Sequence, residues 1–148
     1  MVWKPDVTVA AVVEDEDGRF LLVEETAGGE LVINQPAGHL EPGETLTEAV
    51  VRETLEEAAW SFAPEAVVGV YRWSNPTNGK SFLRVTFTGR LLQHHPERPL
   101  DDGIHRTLWL SLRDIANRRT QLRSPLVERC IADYRAGKRY PLELLSEL

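Results

Sequence analysis

Three carboxylates, Glu53, Glu56 and Glu57, fall within five residues, with the guanidinium of Arg52 directly before them. Carboxylates crowded together and partly out of water repel one another and raise each other's pKa values. Near the C-terminal end of a helix they also meet the negative pole of its dipole. A divalent cation removes both penalties. Mg2+, or Mn2+ in its place, takes an octahedral set of oxygen ligands and keeps water-filled positions for substrate phosphates. A solvated acidic face is the alternative, and from these residues alone the two readings stand level.

The element that must position them is a helix over Thr45 to Ala58. Thr45 followed by Glu48 forms a capping box. At about 100° per residue, Leu46, Ala49 and Val50 define one apolar face. Glu53 and Glu57 fall on that same face, Glu56 lies at its border, and Val51 and Leu55 lie opposite. Half of the buried stripe therefore presents hydrocarbon and half presents carboxylate. Before the helix, Asn34 to Gly43 contains Pro36, Gly38, Pro42 and Gly43 and reads as a loop. Gly38 permits close backbone approach, so its carbonyl could be a further oxygen ligand. Glu44 could pair with Arg52 and hold it, and the planar fork of Arg52 could orient a carboxylate. The plainer reading of that pair is a surface ion pair contributing about 0–1 kcal/mol.

The rest of the chain supplies a mixed sheet. Val7 to Val13 and Arg19 to Glu24 read as strands of a hairpin joined by the EDEDG turn. Leu31 to Ile33 is a short third strand. Ala66 to Trp73 and Ser81 to Leu92 form a strand pair about SNPTNG, and Thr107 to Leu110 is another strand. Ser111 to Arg118 and Ser124 to Ala136 read as helices, the second with Pro125 in its first turn. Strands around an early helix, with two helices last, make an α+β domain with a mixed sheet.

The 148 residues fit one domain, 1–148, and the 42% apolar and 27% charged composition is that of a globular protein. No apolar run approaches the roughly 20 residues of a membrane span. MVWKPDVTVAAVV lacks the pattern of a signal peptide, so the expectation is a cytoplasmic protein without a membrane partner. The single Cys130 sits among Leu126, Val127 and Ile131 and is expected to pack rather than react. A net charge of -6 argues against a nucleic-acid polymer as partner. It leaves room for a small phosphorylated ligand, which needs only local cations or a metal. A monomer and a homodimer are both compatible with the sequence.

The segment GHLEPGETLTEAVVRETLEEAAW resembles the Nudix box: G, five residues, E, seven residues, then R-E-U-x-E-E-x-G-U, where U is a bulky apolar residue. Gly38, Glu44, Arg52, Glu53, Glu56 and Glu57 match at the required spacing. Two positions depart from it. Thr54 stands in place of an aliphatic residue, and Ala59 in place of the glycine, which predicts a helix end without a left-handed glycine cap. KPDVTVA, VEET, NQPAGHLE, LRSPLVERCI and GKRYPLE extend the likeness over nearly the whole chain and resemble the NudJ-type phosphatases of that family.

The resemblance implies a Nudix-type α/β/α sandwich with a mixed β-sheet. It also implies Mg2+-dependent hydrolysis of phosphoanhydrides by water. Nucleoside tri- and diphosphates, hydroxymethylpyrimidine pyrophosphate and thiamine pyrophosphate are the implied substrates, with release of orthophosphate. Glu53, Glu56, Glu57 and the Gly38 carbonyl would hold the metal, Arg52 and Glu44 would position the carboxylates, and Glu53 would serve as base. Some members of the family take the base from a loop outside the box. Glu97 to His105 is that loop here, offering Glu97, Asp101, Asp102 and His105, with Asp101 or Asp102 preferred. A Nudix-fold module that binds nucleotide without turnover is the alternative.

Substrate contacts must come from elsewhere. Arg84 and Arg72 could hold phosphate and Trp73 could stack on a planar base. A salt-bridged arginine and a half-buried aromatic are the competing readings. Asn34 and Gln35 could contact ligand or stabilise their turn. His39 is expected to be structural, and His94 and His95 lack a third ligand for zinc.

Overall fold

Runs such as VAAVV and FLLV carry apolar side chains at successive positions, which suits strands covered on both faces. The structure, a computed structural model describing residues 1–148, places them in this way. Strands β1 (Asp6–Val12), β2 (Arg19–Ala27), β3 (Glu30–Asn34) and β4 (Ala37–His39) precede helix α1 (Leu46–Ala58). Strands β5 (Trp60–Ser74), β6 (Ser81–His94) and β7 (Ile104–Ser111) follow, then helices α2 (Leu112–Asn117) and α3 (Leu126–Arg135). One sheet has the order β4-β1-β6-β5, with β1 and β6 parallel and the other pairs antiparallel. The second is antiparallel, in the order β3-β2-β7.

Alternation along β1 and β2 feeds two cores. Val9, Ala11, Leu21 and Val23 pack with Ala49, Val50 and Ala58 of α1. Val12, Phe20 and Leu22 pack with Val127, Cys130 and Ile131 of α3. The architecture is the α/β/α arrangement with a mixed sheet, and Cys130 is a buried packing residue as expected.

Three local expectations are corrected. The β1 and β2 segments meet only at their turn, through the Glu14–Phe20 bridge and the Leu21 N–H to Val13 carbonyl bond. Beyond it they part into different sheets, because each strand finds two other partners. The proline- and glycine-rich segment after Asn34 contains strand β4, paired to β1 by Thr8, Val9 and Ala10. Strand β5 begins at Trp60 rather than Ala66, and Pro64 is tolerated because β5 is an edge strand with register shifts on either side of it.

Helix α1 begins as the capping box predicts: Thr45 Oγ1 accepts from the Glu48 N–H at 3.1 Å, and Glu48 Oε1 accepts from the Thr45 N–H at 2.8 Å. Its other end departs from expectation. Ala59 itself adopts the left-handed conformation, with φ 58° and ψ 33°, and its N–H bonds the Leu55 carbonyl. Thr54 is fully buried, and its hydroxyl donates to the Val50 carbonyl at 2.7 Å, so the off-pattern polar atom is satisfied within the helix.

Candidate active site

Arg52, on the last two turns of α1, is the hub of the site. Its Nε and Nη2 donate to both oxygens of Glu44, at 3.0 and 2.7 Å. Its Nη1 donates to Glu53 Oε1 at 2.7 Å and to Glu56 Oε2 at 3.2 Å. Nη2 also reaches the His39 carbonyl at 3.0 Å, tying α1 to β4. These bonds hold the Glu44 carboxyl below its ordinary range and push the Arg52 guanidinium further up. One planar cation thus fixes three carboxylates, each by a charge-assisted bond.

Glu53 and Glu57 are 7% and 8% exposed. Burial is the main cause that raises Glu53 to about 7, against the opposing pull of Arg52. Burial likewise raises Glu57 to about 8, with Glu25, Glu53 and Asp101 adding repulsion. Glu56 is raised by burial and then by Asp101. Oxygens of Glu53, Glu56 and Asp101 lie within 4.8 Å of one another. Asp101 reaches this place because its N–H bonds the Glu56 carbonyl at the end of α1, at 3.0 Å. Glu57 lies against β4 at the wall of the same site, its Oε1 accepting from the Ala37 N–H at 2.9 Å.

Gly38 contributes space. A Cβ there would lie 2.2 Å from Glu53 Cδ, so only glycine lets β4 lie against that carboxyl. The expected carbonyl ligand is corrected by the ladder. In an antiparallel pair the N–H and carbonyl of one residue point the same way, and bonded pairs alternate with unbonded ones. The Ala11 N–H bonds the Pro36 carbonyl and the Leu40 N–H bonds the Val7 carbonyl. The intervening Val9–Gly38 pair is therefore of the same type, and the polar groups of Gly38 face Val9. Ala37, whose N–H points at Glu57, turns its carbonyl toward α1. An all-oxygen donor set, crowded carboxyls whose mutual repulsion a cation would relieve and a backbone that only glycine permits together fit a hard divalent cation such as Mg2+ or Mn2+.

A cavity of about 550 Å³ opens beside these carboxylates, lined by Glu53, Glu57, Asp101, Trp73, Phe82 and Arg84 among others. Trp73 stacks on Phe82, their ring centroids 6.0 Å apart and their planes at 17°. Lys80 and Arg123 also face this space. Each has a carboxylate partner, Asp6 at 3.5 Å for Lys80 and Glu25 for Arg123.

Several expected residues are elsewhere. Arg72 follows Tyr71 and precedes Trp73 on β5, so alternation sends it to the exposed face away from the cavity. Gln35 is buried behind Arg84 instead of lining the cavity. Asn34 lines it while accepting the Gln35 N–H. Glu97, Asp102 and His105 are exposed outside the carboxylate cluster, and His105 bonds Thr26. His94 stacks on Trp60 and His95 bonds Ser61, which leaves neither poised for zinc. His39 faces the cavity rim with Asp6 3.5 Å away. Phe82, Lys80 and Arg123 escaped sequence reasoning. Pairing the strands symmetrically about SNPTNG would have set Lys80 opposite Trp73, whereas the observed register sets Phe82 there, and Arg123 arrives only through tertiary packing.

A family model described as NUDIX domain matches residues 4–130. The chain is 44% identical over 146 residues to the Phosphatase NudJ of Escherichia coli (strain K12), which spans 99% of this chain and 94% of that protein. The same figures hold for the Phosphatase NudJ of Shigella boydii serotype 4. Among solved structures, a NUDIX hydrolase from Nitrosomonas europaea superposes with a TM-score of 0.95 at 49% identity, over 98% of each chain.

Proposed function

The chain belongs to the Nudix family as a hydrolase similar to the NudJ phosphatases, and we propose that it cleaves phosphoanhydrides of nucleoside tri- and diphosphates in a Mg2+-dependent reaction releasing orthophosphate. Hydroxymethylpyrimidine pyrophosphate and thiamine pyrophosphate, small diphosphates on a planar ring, belong to the same proposed set. The observation that carries this reading is the Glu53, Glu56 and Asp101 cluster, held by Arg52 beside a cavity that Arg84 also lines.

Mg2+, or Mn2+ in its place, would be held by Glu53, Glu56, Glu57, Asp101 and the Ala37 carbonyl, and when bound it would clamp diphosphate oxygens, acidify a water and offset developing charge. Arg52 keeps Glu53 and Glu56 in one orientation, and Glu44 keeps Arg52 there. Glu53, held in place by Arg52 beside the position of the attacking water, is the proposed base. Arg84 receives a phosphate oxyanion, and the Trp73–Phe82 platform receives the planar ring. A binding module without turnover is not favoured, since every box glutamate is present and Arg52 organises them.

Separate assays of orthophosphate and pyrophosphate over a panel of these substrates with Mg2+ test the reading. The expected product is orthophosphate from at least the nucleoside triphosphates. Pyrophosphate as the sole product would overturn the proposed bond, and no turnover across the panel would overturn the enzyme reading.

A further inference from the structure

Arg84 differs from the other cations of the cavity. Its side chain is buried at 7% exposure, yet no carboxylate oxygen comes within 4.0 Å of it, unlike Lys80 and Arg123. Its partners are neutral: Nη1 donates to Gln35 Oε1 at 3.1 Å and Nε to Thr8 Oγ1 at 3.4 Å. Gln35 is 1% exposed, and its amide can face Arg84 only through its oxygen, because the alternative would set donor against donor. That orientation leaves Gln35 Nε2 buried without a partner.

A glutamate in place of Gln35 has the same length. It would pair a buried cation and remove the orphaned donor in one step, at the cost of desolvating a second charge. The chain instead carries the amide, which fixes the plane of the guanidinium without cancelling its charge. We propose that Gln35 is a positioning residue that holds Arg84 as an uncompensated cation, reserved for a phosphate oxyanion of the substrate. This inference rests on the hydrolase reading above and adds that neutrality at position 35 sets affinity for the anionic substrate.

Steady-state kinetics on a nucleoside triphosphate with Mg2+, for wild type and Gln35→Glu, test it alongside thermal melts. We expect Gln35→Glu to remain folded, to raise KM at least tenfold and to lower kcat less than threefold, the signature of lost uniform binding. A folded Gln35→Glu protein with KM within twofold of wild type would overturn the proposal. Should that variant fail to fold, Gln35→Met removes the acceptor without adding charge. A KM at least threefold higher then supports the proposal, and an unchanged KM overturns it. If wild type turns over no substrate, the hydrolase reading has failed by itself. Calorimetric binding of inorganic pyrophosphate without metal then decides: at least tenfold weaker binding by Gln35→Glu supports the reserved cation, and equal binding rejects it.

Discussion

At the scale of single residues, Gly38 shows how narrowly the site is built. The methyl of an alanine there would meet the Glu53 carboxyl at 2.2 Å, and Glu53 is itself buried and bonded to Arg52. Gly38→Ala is therefore expected to displace Glu53, lowering kcat by about 100-fold or more. Overpacking should also destabilise the fold by about 1–3 kcal/mol. Turnover measured beside a thermal melt checks both. Wild-type turnover in that variant would mean the Glu53 position is not needed. The box residues were legible in the sequence because their spacing lies in one continuous segment. Which carbonyl faces the carboxylates was not legible, because it depends on the alternation of the β1–β4 ladder, and the ladder places Ala37 there.

At the scale of elements, α1 carries both its best and its worst local sequence. The Thr45–Glu48 capping box was readable directly and closes the first turn as expected. The other end holds Ala59 at φ 58°, where a Cβ costs about 1–2 kcal/mol. Ala59→Gly relieves that strain and forfeits a buried methyl worth about 0.8 kcal/mol. The expected net gain is roughly 0.5 kcal/mol, a rise in Tm of about 1–2 °C in a chain of this size. A fall in Tm would show that packing of the Ala59 methyl outweighs the backbone strain. The missing glycine suggested an end without a left-handed cap, but tertiary contacts imposed that conformation on alanine. Strand β4 was hidden for a related reason: its three residues look like loop between Pro36 and Pro42, and only β1 makes them a strand.

At the scale of the molecule, the two sheets and α1 bring together groups far apart in sequence: Glu53 and Glu57 from the helix, Asp101 from the loop before β7, and Arg84 from β6. Sequence reasoning reached Asp101 only as one of two preferred acids in its loop, since the bond from its N–H to the Glu56 carbonyl is a tertiary event. The assembled carboxylates have a thermodynamic consequence. Without metal, Glu53 and Glu57 hold protons up to about 7 and 8, whereas the unfolded chain releases them near 4.5. Their contribution to stability is fully present below about 4.5 and is lost as pH rises through 7 and 8. Melts of metal-free protein should therefore show Tm falling by several degrees between pH 5 and pH 8.5. Millimolar Mg2+ should restore more at pH 8.5 than at pH 6, because it binds the deprotonated site. A flat profile would mean that these carboxyls are already ionised at neutral pH.

The central claim is that the glutamates of α1 form a metal-dependent hydrolytic site. Its most direct test is the rate of orthophosphate release from a nucleoside triphosphate by wild type and Glu57→Gln across a Mg2+ titration. The account predicts turnover by wild type that rises with Mg2+ and vanishes with chelator, and a Glu57→Gln rate lower by about 100-fold or more at every concentration. Equal rates in the two proteins, or wild-type turnover that survives chelation, would contradict it.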